Sequence, residues 1–240
     1  MLRYEKLKRN QRSFIALTGL TPEEFKMWLP AFSAACQQLY PADNTLPGKR
    51  RQRQSGGGRK GMLQSPEQQL LFVLVYQKAY PLQELLGAVF EISQPRVNYR
   101  VHRLLPALNL ALEKLGVMPE RDPRQFARHE RRQAEPLALI IDGTERRRQR
   151  PKSPEKQALH YSGKKKAHSD KNLVIVPAQT KRVGDLSRTY VGKTHDKKMA
   201  DAEQIVYPRQ ARLYKDTGFQ GYEPRVRETR QPKKSRARAS

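Results

Sequence analysis

The sequence has a single cysteine, Cys36, a single tryptophan and little negative charge. One thiol excludes an internal disulfide framework and any cysteine-cluster zinc site. On a helix face, Cys36 reads as a small hydrophobe rather than a nucleophile. Long apolar runs are also missing. The stretch LLFVLVY is far shorter than the roughly 20 residues a membrane-spanning helix needs. The start MLRYEKLKRNQRSF carries charges without the apolar core of a secretory signal. A membrane partner is therefore not expected, and the chain reads as cytoplasmic.

What is abundant is positive charge. Among 240 residues, 48 Lys+Arg face 23 Asp+Glu, a formal net charge of +25. A surface potential of that sign attracts polyanions, and nucleic acid is the expected partner. The length fits one or two domains with a real core.

The first 40 residues read as a helical segment. Thr21 is placed as N-cap, Pro22 at the first helical position and Glu24 as the partner in a capping box. Phe25, Trp28, Leu29 and Phe32 then fall on one helical face as core. Residues 41–64, PADNTLPGKRRQRQSGGGRKGMLQ, lose all apolar periodicity and read as a basic linker. A solvated tether and a phosphate-contacting arm explain that linker equally well.

Residues 65–117 show a different rhythm. Ser65, Pro66 and Gln68 mark a helix start, and PLQELLGAVF forms a second short helix after Pro81. After the break EIS, Ser93 is expected to cap a longer third helix. This is the spacing of a helix-turn-helix, in which the third helix offers its exposed face to DNA. Arg96, Asn98, Tyr99, Arg100 and Arg103 supply donors, while Val97, Val101 and Leu104 point inward. Arginine suits guanine and asparagine suits adenine in the major groove. A merely solvated basic face would look similar.

Residues 118–135 form a polar connector, and from 136 to 240 the pattern becomes that of a sheet. PLALIID, KNLVIVPA and the weaker RLYKDTGF are apolar runs of strand length. Asp142 and Asp216 each stand where such a run ends, and Gly143 is expected to turn the backbone directly after Asp142. If the two strands are neighbours, the carboxylates converge, and such a pair suits Mg²⁺ or Mn²⁺ bound to phosphate oxygens. On spacing alone the turn reading of each aspartate is the stronger, Asp-Gly being a common hairpin signal.

Taken together, IIDGTERRRQRP, YSGKKKAHSDKNLVIV, TYVGKTHDKKMAD and LYKDTGFQGY resemble the DDE superfamily of insertion-sequence transposases, most closely the insertion-sequence-five group. The helix-turn-helix before them resembles that group's DNA-binding region. The resemblance implies an α+β chain: an N-terminal helical helix-turn-helix region followed by an incomplete RNase H-like mixed-sheet α/β domain. It implies a bacterial, nucleoid-associated protein that binds double-stranded DNA at transposon ends, self-associates to pair two ends, and cleaves and rejoins DNA with Mg²⁺ or Mn²⁺. Asp142 and Asp216 match the first two acids of the catalytic triad. Lys164, Lys165 and Lys166 match a basic segment close to DNA, and His195 and Asp196 match a supporting motif at a helix start.

The departure from the family is the third acid, a glutamate on a later helix. Glu223 and Glu228 follow Asp216, but neither matches that motif. The expectation is a truncated or frame-split transposase that cleaves poorly by itself. Three functions therefore stand side by side. The first is a transposase polypeptide with part of a metal site. The second is a non-catalytic DNA-binding remnant that occupies terminal repeats and inhibits intact enzyme. The third is an RNA-binding protein of the translation machinery, which the order of the four motifs disfavours.

Overall fold

The computed structural model describes residues 1–42, 61–127, 137–180 and 182–232. Most of the expected linker over 41–64, and the later part of the expected connector over 118–135, lie outside the described residues. Two compact units divide the chain, Met1–Met118 and Pro119–Ser240.

The first unit is helical: α1 (Tyr4–Leu7), α2 (Gln11–Thr18), α3 (Pro22–Leu39), α4 (Pro66–Ala79), α5 (Gln83–Phe90) and α6 (Gln94–Lys114). The expected capping box closes α3. The Glu24 amide donates to Thr21 Oγ1 at 3.2 Å, and the Thr21 amide donates to Glu24 Oε2 at 2.8 Å. Ser65 caps α4 through the Gln68 amide at 3.2 Å. Leu70 to Val75 are all buried, so α4 is enclosed on every side rather than amphipathic. The Gln68 side chain then ties the N-terminus down, accepting from the Tyr4 amide at 3.0 Å and donating to the Leu2 carbonyl at 2.6 Å. Stacked Tyr4 and Phe25 rings, 4.9 Å apart, fill the space beside α2.

α5 and α6 form the helix-turn-helix. Val97, Val101 and Leu104 point into the core as the helical period predicts. Gly87 permits the close approach, because a Cβ there would lie 2.6 Å from the Ile92 carbonyl oxygen. Two details differ from expectation. The second helix starts only at Gln83, with Leu82 as N-cap, and Ser93 occupies the N-cap of α6 without a side-chain capping bond. At this turn the Gln94 side-chain amide instead donates to Gln83 Oε1 at 2.7 Å, which joins the two helices directly.

The second unit is a mixed sheet with helices: β1 (Ala138–Arg147), α7 (Pro154–His160), β2 (Tyr161–Ser162), β3 (Ala167–Pro177), β4 (Asp185–Leu186), β5 (Tyr190–Val191), α8 (Asp196–Glu203), β6 (Arg212–Lys215), a 3₁₀ turn (Thr217–Phe219) and β7 (Glu228–Arg230). The strand order is β2-β3-β1-β6-β7, with β4 and β5 also on β3. β3 runs antiparallel to β1, whereas β6 is parallel to β1 and β7 parallel to β6. Leu139, Ile141, Leu173, Ile175 and Leu213 bury one face with Met199 of α8. The architecture is α+β, with an N-terminal helix-turn-helix region and then a mixed sheet of the RNase H-like kind.

One expectation is corrected by the register. β1 does not end at Asp142 and Gly143 does not turn the chain. The strand continues to Arg147, pairing with β3 as far as Ser169. What ends beside Asp142 is the parallel pairing with β6, whose last pair is Ile141 with Lys215.

Candidate functional site

That register places Asp142 and Asp216 at equivalent positions, one residue beyond the last parallel pair. Neighbouring strands lie about 4.8 Å apart, so the two carboxylates leave the sheet side by side. Both are exposed. Asp142 Oδ1 accepts from the Gly143 amide at 2.8 Å, and Asp216 Oδ1 accepts from the Gly218 amide at 2.9 Å. Among the described residues neither carboxylate has an ion-pair partner, in a chain with 48 Lys+Arg. Two adjacent anions without a protein cation repel one another, and a bound divalent cation relieves that repulsion.

Asp196, the first residue of α8, reaches into the same place. A Cβ on Gly143 would lie 2.7 Å from Asp196 Oδ1, and one on Gly218 would lie 2.9 Å from Asp196 Oδ2 and 3.1 Å from Asp216 Oδ1. The glycines that follow the two acids therefore make room for a third carboxylate. Asp196 differs from the other two because it is paired: Lys171 Nζ lies 3.3 Å from Asp196 Oδ1 and 3.3 Å from Glu145 Oε1. Lys171 also donates to the Thr194 carbonyl at 3.1 Å, and Ser169 Oγ donates to Glu145 Oε2 at 3.1 Å. Burial alone would raise the Glu145 pKa, but hydrogen bonds from Ser162, Lys171 and Ser169, with the Lys171 charge, hold it below the ordinary glutamate value.

The donor set fits a magnesium-like ion in part. Two carboxylates with open solvent positions are what Mg²⁺ accepts when it keeps several waters. Among the described residues, no group of three or more His, Cys, Asp or Glu could hold a metal ion together. Glu223 and Glu228 are engaged elsewhere. Glu223 pairs with the buried Lys215 at 2.8 Å, and Glu228 pairs with Arg230 at 2.7 Å. A groove of about 590 Å³ opens beside the two acids, lined by Ile140, Tyr214, Arg230 and Gln231.

The other expected site residues are spread more widely. Lys164, Lys165 and Lys166 are exposed on the turn joining β2 to β3. His195 is exposed at the N-cap of α8 and its side chain makes no capping bond. On α6, Arg96, Asn98 and Tyr99 are exposed, whereas Arg100 and Arg103 are half-buried and line a cavity with residues of α3. Sequence reasoning passed over His102, which is exposed one turn beyond Asn98 and Tyr99, and Lys171, whose role depends on long-range pairing.

Comparison with known families places this geometry in context. Residues 62–114 match the family described as the helix-turn-helix of DDE superfamily endonuclease, and residues 141–239 match the DDE superfamily endonuclease family. Comparison with curated proteins and with solved structures gives no match. The two family matches, in this order, support a DDE superfamily transposase or endonuclease with a helix-turn-helix for DNA binding. Endonucleases of this superfamily typically use divalent metals. No helix among the described residues is long and apolar enough to cross a membrane.

Proposed function

We propose that the chain is a transposase polypeptide of the insertion-sequence-five group. In this reading it binds transposon-end DNA through residues 65–117 and acts on phosphodiesters through Asp142 and Asp216. The observation that carries this reading is the pair of adjacent, exposed carboxylates, without an ion-pair partner among the described residues, at the open end of a parallel strand pair. Their family match supports the same assignment, since Asp142 falls at the start of the endonuclease region.

Asp142 and Asp216 would hold Mg²⁺ or Mn²⁺ through their solvent-facing oxygens. When bound, such an ion supplies Lewis-acid stabilisation of the attacking and leaving oxygens of a phosphodiester. The chain's own residues do the rest. Asp196 packs against Gly143 after Asp142 in β1 and against Gly218 after Asp216, and serves as a supporting residue, with His195 at the start of its helix. Lys164, Lys165 and Lys166 supply positive charge for the DNA backbone on an exposed turn. Self-association accompanies the pairing of two transposon ends, and the protein works on the nucleoid.

The second reading is a DNA-binding remnant without catalysis, which occupies terminal repeats and inhibits intact transposase. The observation that favours it is the ligand count: two unpaired carboxylates, with the third held by Lys171. Incubating the purified chain with end-containing supercoiled DNA and Mg²⁺ or Mn²⁺ separates the two. Metal-dependent nicking abolished by Asp142→Asn supports the enzyme. DNA binding with no nicking in either metal supports the remnant and overturns the catalytic reading.

A further inference from the structure

The side of α6 facing α3 carries two arginines with no acid to answer them among the described residues. Arg100 is half-buried and makes no hydrogen bond or ion pair among the described residues; its guanidinium carbon lies 5.9 Å from the centre of the Tyr99 ring. Arg103 lies over the Tyr40 ring at 4.0 Å from its centre and donates from Nη1 to Tyr99 Oη at 3.0 Å. With Ser33, Gln37 and Gln69 these arginines line a cavity of about 250 Å³ between α3, α4 and α6.

Among the described residues the charges lining this cavity are all positive. Burial is the main cause of a lowered Arg100 pKa; Tyr99 opposes it, and the charges of Arg103 and Arg96 add to it. Burial also pushes the Cys36 thiol up to about 11, against the opposing charge of Arg103, so it offers no anion near neutral pH. A partly desolvated guanidinium is costly unless an anion accompanies it. Two guanidiniums lining one cavity supply the forked donors with which arginine holds phosphate oxygens.

We propose that this cavity is a phosphate site that receives one backbone phosphodiester of duplex DNA, held by Arg100 and Arg103. Arg96, Asn98, Tyr99 and His102, on the exposed face of the same helix, are then left to meet base edges. This divides the donors of α6 into positioning and reading groups, and it rests on the DNA-binding reading given above. A backbone contact carries no sequence information, whereas a base contact does.

The test uses the full chain and two readouts. The first is affinity for unrelated duplex sequences over a salt series, for wild type, Arg100→Gln/Arg103→Gln and Arg96→Gln. The double variant should bind every duplex about tenfold more weakly. Its slope of log affinity against log salt should fall by about one unit, as expected when one phosphate is no longer neutralised. Arg96→Gln should change the ranking among sequences instead. The second readout is melting: inorganic phosphate should raise the melting temperature of wild type more than that of the double variant.

Unchanged affinity and slope in the double variant, or losses confined to particular sequences, would overturn the assignment. An equal phosphate effect on both proteins would do the same. If wild type binds no duplex at all, the DNA-binding reading fails, and the melting comparison decides the phosphate site independently.

Discussion

Asp196 lies so close to Gly143 that a methyl group on that glycine would sit 2.7 Å from its Oδ1. The relationship explains why the residue after Asp142 lacks a side chain although the strand runs straight through it. The same carboxylate would lie 2.9 Å from a Cβ at Gly218, beyond Asp216, so a side chain there would force it to shift. Asp196 is thus the spacer that sets one acid-bearing segment against the other.

Substituting either glycine should therefore be costly. Gly143→Ala and Gly218→Ala are expected to destabilise the second unit by about 1–3 kcal/mol through overpacking. Gly163→Ala has nothing within 4 Å of the added Cβ and should be close to neutral. Urea unfolding of the three variants checks this; equal stability of Gly143→Ala and Gly163→Ala would contradict it.

The spacer needs its counter-charge. Lys171 is buried between Glu145 and Asp196, and removing it leaves two carboxylates with no cation between them. Lys171→Met should cost about 3–5 kcal/mol, the range for breaking a buried pair. Glu145→Gln in that background should recover part of the loss. Chemical denaturation of the single and double variants measures both, and an additive double variant would show that the three groups are not coupled.

A second buried acid gives a pH dependence. Asp185 is 1% exposed, and neither side-chain oxygen has a hydrogen-bond partner among the described residues. Burial, then the charges of Glu203 and Glu120, raise its pKa from 3.8 to about 7. The folded state thus favours the protonated acid. Its contribution to stability is fully present below pH 3.8 and is lost as pH rises through about 7. Asp185→Asn, which stays polar but carries no charge at any pH, should be more stable than wild type at pH 8, where the wild-type carboxyl must be ionised while buried. The difference should shrink toward acid pH. Unfolding curves of both proteins over this range test it, and a pH-independent difference would contradict it.

The exposed donors of α6 carry their own prediction. Arg96→Ala and Asn98→Ala remove exposed donors of α6 and should each weaken binding to a preferred duplex by about 1–3 kcal/mol while relaxing its sequence preference. Duplex selection from a random pool followed by titration of the winners measures this. An unchanged selected sequence in both variants would remove α6 from base reading.

How much of this was legible in the sequence depends on how far each relationship reaches along the chain. The capping box of α3 and the inward row Val97, Val101 and Leu104 are local, and hydrogen-bond chemistry and helical periodicity sufficed for them. Ser93 shows the limit even at short range. Its backbone takes the N-cap conformation, but the hydroxyl makes no capping bond, and the neighbouring Gln94 side chain bonds to Gln83 instead. At the candidate site, strand-length runs ending in aspartate were visible. Their adjacency was conditional, because nothing in PLALIID or RLYKD states that these strands pair in parallel. Asp-Gly also suggested a turn that does not form. There the extended strand is held by pairing with β3, and the glycine answers to Asp196, which lies far away in sequence. The division of α6 into exposed donors and half-buried arginines was hidden for the same reason, since Ser33 and Tyr40 come from α3 and its C-cap.

The central claim is that Asp142 and Asp216 together hold a divalent cation. Mn²⁺ binding to the purified chain, followed by electron paramagnetic resonance, tests it without requiring DNA cleavage. Asp142→Asn and Asp216→Asn should each weaken binding at one site by about tenfold or more, a loss of about 1.4 kcal/mol, with folding intact by circular dichroism. Wild-type affinity in both folded variants would contradict the claim.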